Sequence, residues 1–316
     1  MNDRHSTTNS LPALLTDEAT GYVRASKAAN TVKAYRSDWD AFSSWCDQHG
    51  VSALPAAPQT LAVYLAEGAR VYRPSTLARR CSSIAVAHEM AGHDSPTRHV
   101  LVRGVMSGIR RTLGTASEQK APILTADLRR MVAALPDTIA GVRDRALLLL
   151  GFAGAFRRSE LVALDTDNLD DRSDGLVVTI SRSKTDQEGE GRIVGIPYGS
   201  DPQTCPVRAV RAWLEHSGID RGPVFRPVRH HRVLATRLTD RSVALIVKRV
   251  CKTAGFDPMA YAGHSLRAGL ATSAAAAGVS ERSIMAQTGH RSLPTVRKYI
   301  RSGGVFRDNA AAAVGL

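Results

Sequence analysis

From Ala146 to Phe156 the chain runs eleven residues without one polar side chain, bracketed by Arg145 and Arg157. A helix that is apolar on every side has to be covered on every side, so it belongs in the interior of a domain. The run stops well short of the roughly 18–20 residues that a bilayer span requires. It predicts a buried helix from Arg143 through Gly151.

At 316 residues the chain should form about two domains, each long enough for its own core. Hydrophobic residues make up 43% and support globularity throughout. The front half reads as helical. From Asn30, the expected cap, Val32, Tyr35, Trp39, Phe42 and Trp45 recur at spacings of three and four, with Lys33, Arg36 and Asp40 outside. A second helix is predicted from about Pro58 to Glu67. A third starts with Ser75 as N-cap, and a fourth runs from about Pro96 to Thr112. Arginine pairs, Arg79-Arg80 and Arg110-Arg111, stand on two of these helices, either as nucleic-acid contacts or as solvated faces.

The second half mixes helices with a few strands. Thr125 is expected to cap a helix to about Leu135, the buried helix follows, and another begins near Ser159. The β-rich runs Leu176 to Ile180 and Arg192 to Ile196 should pair as a hairpin across a polar loop. Pro206 opens a further helix, and Thr239 caps one that carries Val243, Ile246, Val247 and Val250 inward. Its opposite face holds Arg241, Lys248, Arg249 and Lys252, a set suited to a nucleic-acid groove. The fold class is therefore mainly α with a small β-sheet. Expected boundaries are a flexible arm over 1–20, a four-helix domain over 21–112, a linker over 113–122, an α+β domain over 123–302 and a tail over 303–316.

Charge narrows the partner. Lys plus Arg number 42 against 29 Asp plus Glu, a formal net charge of +13, enough to attract a polyphosphate before any specific contact forms. An acidic membrane surface is the competing reading, but the chain lacks a Lys-rich tail and a basic amphipathic helix with an aromatic face. The polar start, Met1 to Ser6, has no apolar core, so neither a secretory signal nor an anchor is expected. Cys46, Cys81, Cys205 and Cys251 lack paired metal-ligand spacing and read as reduced, mostly buried thiols of a cytosolic protein.

Several residues stand out as chemistry-bearing. His264 and Arg267 lie three apart at the start of a helix, on one face, where the helix dipole favours an anion. Ser280 caps a short helix that Gly289 terminates, His290 follows at a turn, and Ser292 caps a last helix with Tyr299 on its inward face beside Val296 and Ile300. Taken singly, each has a structural alternative: a surface histidine, a helix-end cation at Arg157, an edge lysine at Lys184, a core tyrosine at Tyr299. Lys184 is one of only seven lysines against 35 arginines.

As a set these residues carry a resemblance. Gly154-Ala155-Phe156-Arg157-Arg158-Ser159-Glu160-Leu161 resembles the G-x-x-R-x-S-E-L box of the tyrosine recombinases, the phage integrase family. His264-Ser265-Leu266-Arg267-Ala268-Gly269 is similar to its second box, and Thr288-Gly289-His290 followed by Tyr299 to its closing box. Lys184, in Ser183-Lys184-Thr185, matches its mobile lysine. The resemblance implies a four-helix core-binding (SAM-like) domain ahead of a catalytic domain. It also implies a DNA-cleaving and rejoining activity through a 3′-phosphotyrosyl link, with no metal and no other cofactor. In that reading Tyr299 is the nucleophile, Arg157 and Arg267 hold the nonbridging oxygens, and Lys184 protonates the leaving oxygen. His264 assists proton movement at Tyr299 and His290 hydrogen-bonds the phosphate. Four protomers would join two duplexes, each with inverted half-sites, and Asn309 to Val314 would dock on a neighbour. The hairpin tip departs from the family pattern, with acids at Asp186, Glu188 and Glu190 beside Lys184.

Two other readings stay open from sequence. Ala274 to Tyr299 would pass as the helix-turn-helix of a DNA-binding regulator, and a type IB topoisomerase would use the same tyrosine.

Overall fold

The structure, a computed structural model, describes residues 29–116, 120–181 and 191–303. The chain divides into two compact units, Met1–Glu118 and Gln119–Leu316, a division that falls within 113–122.

The first unit contains four α-helices among its described residues: α1 (Ala29–Gln48), α2 (Pro58–Gly68), α3 (Pro74–Met90) and α4 (Val100–Leu113). Their core is Phe42, Leu61, Leu65, Leu77, Ile84, Val102, Met106 and Ile109. Three helix starts differ from expectation. Asn30 lies within the first turn of α1. At α3 the N-cap is Arg73 with Pro74 at N1, because proline already has the helical φ and needs no N–H partner there. The predicted fourth helix is split. Ser95 Oγ accepts from the Thr97 N–H to open a single 3-10 turn, Pro96–Arg98, and an extended His99 then starts α4 by accepting the Leu101 N–H on Nδ1.

The second unit is built around α6 (Ile139–Ala153), in which the side chains of Leu147, Leu148 and Leu150 are fully buried. Around it lie α5 (Thr125–Ala133), α7 (Arg158–Ala163), α8 (Pro206–Ser217), α9 (Asp240–Thr253) and α10 (Ser265–Ala276). The helix α6 begins four residues before the expected Arg143, with the Thr138 hydroxyl accepting the Gly141 N–H. Arg143 and Asp144 looked like a polar start, yet both are buried, paired with each other at 2.6 Å. Asp144 also pairs with Arg249 of α9, whose side chain is still 53% exposed on the outward stripe expected for it. At α5 the cap is Leu124, whose N–H donates to Asp127, and Thr125 is the first helical residue.

The expected hairpin forms from β2 (Gly175–Ile180) and β3 (Arg192–Pro197), antiparallel, with Val178 opposite Val194 and Leu176 opposite Ile196. Alternation sends Leu176, Val178, Ile180, Val194 and Ile196 into the core. An unexpected strand, β1 (Leu169–Arg172), pairs on the other edge of β2. A second, two-stranded sheet joins β4 (Val228–Arg229) to β5 (Arg232–Val233). The chain continues through α11 (Glu281–Thr288) and α12 (Leu293–Gly303), which close over α10 on a small core of Ala271, Ala275, Ile284 and Val296. No described helix is long and apolar enough to cross a membrane.

Candidate active site

The loop leaving α6 is shaped by its own side chains. A Cβ at Gly154 would lie 2.2 Å from the Phe156 ring, so only glycine lets that ring fold back. Ala155 follows with φ 47, in the left-handed region that a residue with a Cβ enters at a cost. This turn aims the Ala155 carbonyl at α10, where it accepts from Arg267 Nη1 at 2.7 Å. Arg157 then caps α7. Its backbone N–H donates to Glu160 Oε2 at 2.9 Å and its guanidinium pairs with Glu160 Oε1. Burial alone would raise the Glu160 pKa, but those bonds and the cations of Arg157 and Arg192 bring it below the ordinary carboxyl range.

Arg267, in the first turn of α10, is 1% exposed, and its Nε and Nη2 have no hydrogen-bond partner among the described residues. Burial first, then the neighbouring Arg157, pushes its pKa down to about 10, so it is still a cation near neutrality. Two buried nitrogen donors of a guanidinium without acceptors are costly in a resting protein, and an oxyanion bound there would satisfy them.

His264 caps α10, and its Nε2 lies 3.0 Å from the Tyr299 Oη on α12. Burial and the cations Arg267, Arg157 and Arg158 lower its pKa, which keeps the ring neutral and able to accept a proton. His290 sits with its ring centre 5.8 Å from that of Tyr299. The Thr288 hydroxyl donates to the Ile284 carbonyl at 2.7 Å, so the 2.7 Å contact between Thr288 Oγ1 and His290 Nδ1 places a proton on Nδ1. Burial and the surrounding arginines push the His290 pKa down to about 3.

Arg157, His264, Arg267, His290 and Tyr299, read from sequence, thus gather in one place. Lys184 and the acidic tip Asp186 to Glu190 lie outside the described residues, as does the docking segment Asn309 to Val314. Glu160, Thr288 and Arg192 were not assigned from sequence. Glu160 carried a signal, three residues from Arg157 in one turn, whereas Arg192 read only as the first residue of a strand. Among the expected DNA contacts, Arg110, Arg111 and Arg241 are exposed and Lys248 is half-buried. Arg79 pairs with Asp38 at 3.1 Å. Arg80 is engaged within its unit, donating to the Tyr64 hydroxyl at 2.6 Å with its guanidinium carbon 3.9 Å from the Tyr72 ring centre.

A phenol in contact with a neutral imidazole, beside the buried Arg267 guanidinium with its unmet donors, is an arrangement suited to covalent catalysis at an oxyanionic centre. The comparisons agree with that chemistry. The model of the phage integrase family matches residues 123–303. An integrase/recombinase xerD homolog of Selenomonas ruminantium is 44% identical over 290 residues, covering 90% of this chain and 85% of the relative. The recombinase cre of Escherichia phage P1 is 25% identical over 324 residues, covering 92% of each. Among solved structures, a lambda integrase(75–356) dimer bound to a COC′ core site superposes with a TM-score of 0.61 at 16% identity, covering 95% of this chain and 98% of that one. The chain belongs to the phage integrase family and is a tyrosine-type site-specific recombinase.

The helix-turn-helix and topoisomerase readings are not favoured by these relatives. The stretch from Ala274 to Tyr299 does form packed helices, α10 to α12, and they serve to bring Tyr299 against His264.

Proposed function

We propose that the substrate is double-stranded DNA and that Tyr299 attacks a phosphodiester to leave a 3′-phosphotyrosyl link and a free 5′-hydroxyl. The contact between His264 Nε2 and Tyr299 Oη at 3.0 Å carries this reading. A phenol has an unperturbed pKa of about 10 and is a poor nucleophile unless a base takes its proton. His264, held neutral, takes it as the Oη–P bond forms. Arg267 offers Nε and Nη2 to the nonbridging oxygens and Arg157 joins it, so charge that builds in the transition state meets donors already in place. His290 bonds the phosphate through Nε2 once the anion's approach draws a proton there. Lys184, as general acid, protonates the departing 5′-oxygen, a contribution on the order of 100-fold or more. The reverse attack by a second 5′-hydroxyl rejoins strands, and the covalent link conserves the bond energy.

Arg79, Arg110, Arg111, Arg241 and Lys248 contact the DNA backbone in this reading, while the contacts of Arg80 suit it to holding Tyr64 and Tyr72. The protein would act in the cytoplasm as a homotetramer on two paired sites, each made of inverted half-sites, in integration, excision or resolution of DNA elements. A XerH recombinase of similar fold is bound to a palindromic difH substrate and a lambda integrase dimer to a COC′ core site, which supports the paired arrangement.

The test is a nicked duplex that traps the adduct. Wild-type protein is expected to become covalently attached, and Tyr299→Phe to bind the same DNA within a few-fold but give no adduct. An adduct that survives Tyr299→Phe would overturn the assignment.

A further inference from the structure

The geometry points to Arg192 as a positioning residue that occupies Glu160 and so keeps the Arg157 and Arg267 pair in positive excess for the reacting phosphate. This rests on the proposed function. Arg192 opens β3 with its side chain only 17% exposed. Its Nη2 donates to Glu160 Oε2 at 3.2 Å and its Nη1 to the Gln287 carbonyl at 2.9 Å. The guanidinium carbon is 5.8 Å from the Phe156 ring centre, and a Cβ at Gly289 would come within 3.0 Å of the side chain. One side chain thus joins the loop before α7, the edge of the sheet and the turn that presents His290.

The Glu160 charge does not need this cation to be neutralised. Glu160 already has the Arg157 N–H and guanidinium as partners, a complete ion pair without Arg192. Adding a second buried guanidinium lowers the pKa of Arg192 by burial, and that of Arg267 and His290 by repulsion. Its Nε is left without a hydrogen-bond partner among the described residues. Burying surplus like charge costs stability, and the cost is recovered when an anion enters. Among the described residues, Arg157, Arg192 and Arg267 surround the single carboxylate of Glu160, an excess of two positive charges. Phosphoryl attack adds negative charge at the nonbridging oxygens, which is the charge this excess would meet. Without Arg192 the Glu160 carboxylate falls wholly to Arg157, and Arg267 is left as the one uncompensated guanidinium of the three remaining groups.

The experiment compares adduct formation on two nicked duplexes, one with the natural scissile phosphodiester and one with a methylphosphonate, which lacks the charged nonbridging oxygen. Arg192→Gln is expected to slow the diester roughly 30-fold or more, as loss of an electrostatic contribution does, while the methylphosphonate reaction stays within about three-fold. Arg192→Lys, which retains the charge, is expected to restore most of the diester rate. Equal losses on both substrates, no loss on either, or a Lys variant as slow as Gln would each overturn the inference. Should Arg192→Gln fail to fold by circular dichroism, Arg192→Met, which keeps the stem packed on Phe156, gives the same comparison. If wild type forms an adduct on neither substrate, the proposed function fails instead.

Discussion

Protonation decides what each catalytic side chain can do. Burial and the cations Arg267, Arg157 and Arg158 depress the His264 pKa, so the imidazole remains a base at pH values where a free histidine would be protonated. Adduct formation is therefore expected to hold level as pH falls through about 6.5 and to decline only below it; an acid limb at or above that value in a pH–rate profile would contradict the assignment. His290 adds a stability consequence. Its folded pKa is about 3, against about 6.5 in an unfolded chain. Between the two the unfolded state binds more protons, so the stabilisation is fully present above the unfolded value and is lost progressively as pH falls towards 3. Urea midpoints at pH 7 and pH 5 should differ less in His290→Asn than in wild type. The residues proposed to touch the reacting atoms were legible because their local motifs are distinctive. Arg192 was not, since its partners Glu160 and Gln287 are brought near only by tertiary packing, whereas Glu160 and Thr288 bond to residues three and four positions away, contacts that do not by themselves announce a site.

At the scale of elements, the apolar run at 146–156 is read correctly because a helix without a polar face has one place to go. Its start was misread because Arg143 and Asp144 are charged yet buried, neutralised by each other and by Arg249 from α9, a pairing no local pattern announces. The strand β1 was missed for the opposite reason. Leu169-Asp-Asp-Arg has no alternation, and it is an edge strand with three exposed residues. Two substitutions test the packing around the site. Leu147, fully buried at the centre of α6, should cost about 2–5 kcal/mol when cut to alanine, measured by denaturant unfolding. Gly269 lets α10 approach the chain so closely that a Cβ would lie 1.8 Å from the Ile123 carbonyl oxygen. Backbone cannot rotate aside, so Gly269→Ala should displace α10 with Arg267 on it, losing about 1–3 kcal/mol of stability and most of the cleavage rate. Normal stability and cleavage in that variant would show that the helix has room the packing denies.

For the whole molecule, the +13 net charge and the buried guanidiniums act at different ranges. Surface cations attract a polyanion through solvent and are screened by salt, whereas in the proposed function the arginines around Tyr299 engage one phosphate shielded from it. The two contributions are separable. Half-site affinity should fall by about 10³-fold or more between 50 and 200 mM salt if six or more phosphates are neutralised. Lys248→Ala on α9 should reduce the slope of log affinity against log salt by about one and leave adduct formation at saturating protein unchanged. Arg80→Ala should leave that slope alone and lower thermal stability, because Arg80 is held by Tyr64 and Tyr72. Arg267→Ala should abolish adduct formation with little change in slope, since one buried contact replaces few counterions. A membrane-directed protein of the same charge would instead bind anionic lipid vesicles saturably and show no preference for a duplex half-site. If Arg267→Ala lost affinity and cleavage in equal measure, the buried guanidinium would be serving ground-state binding, and the division between long-range attraction and local transition-state stabilisation would fail.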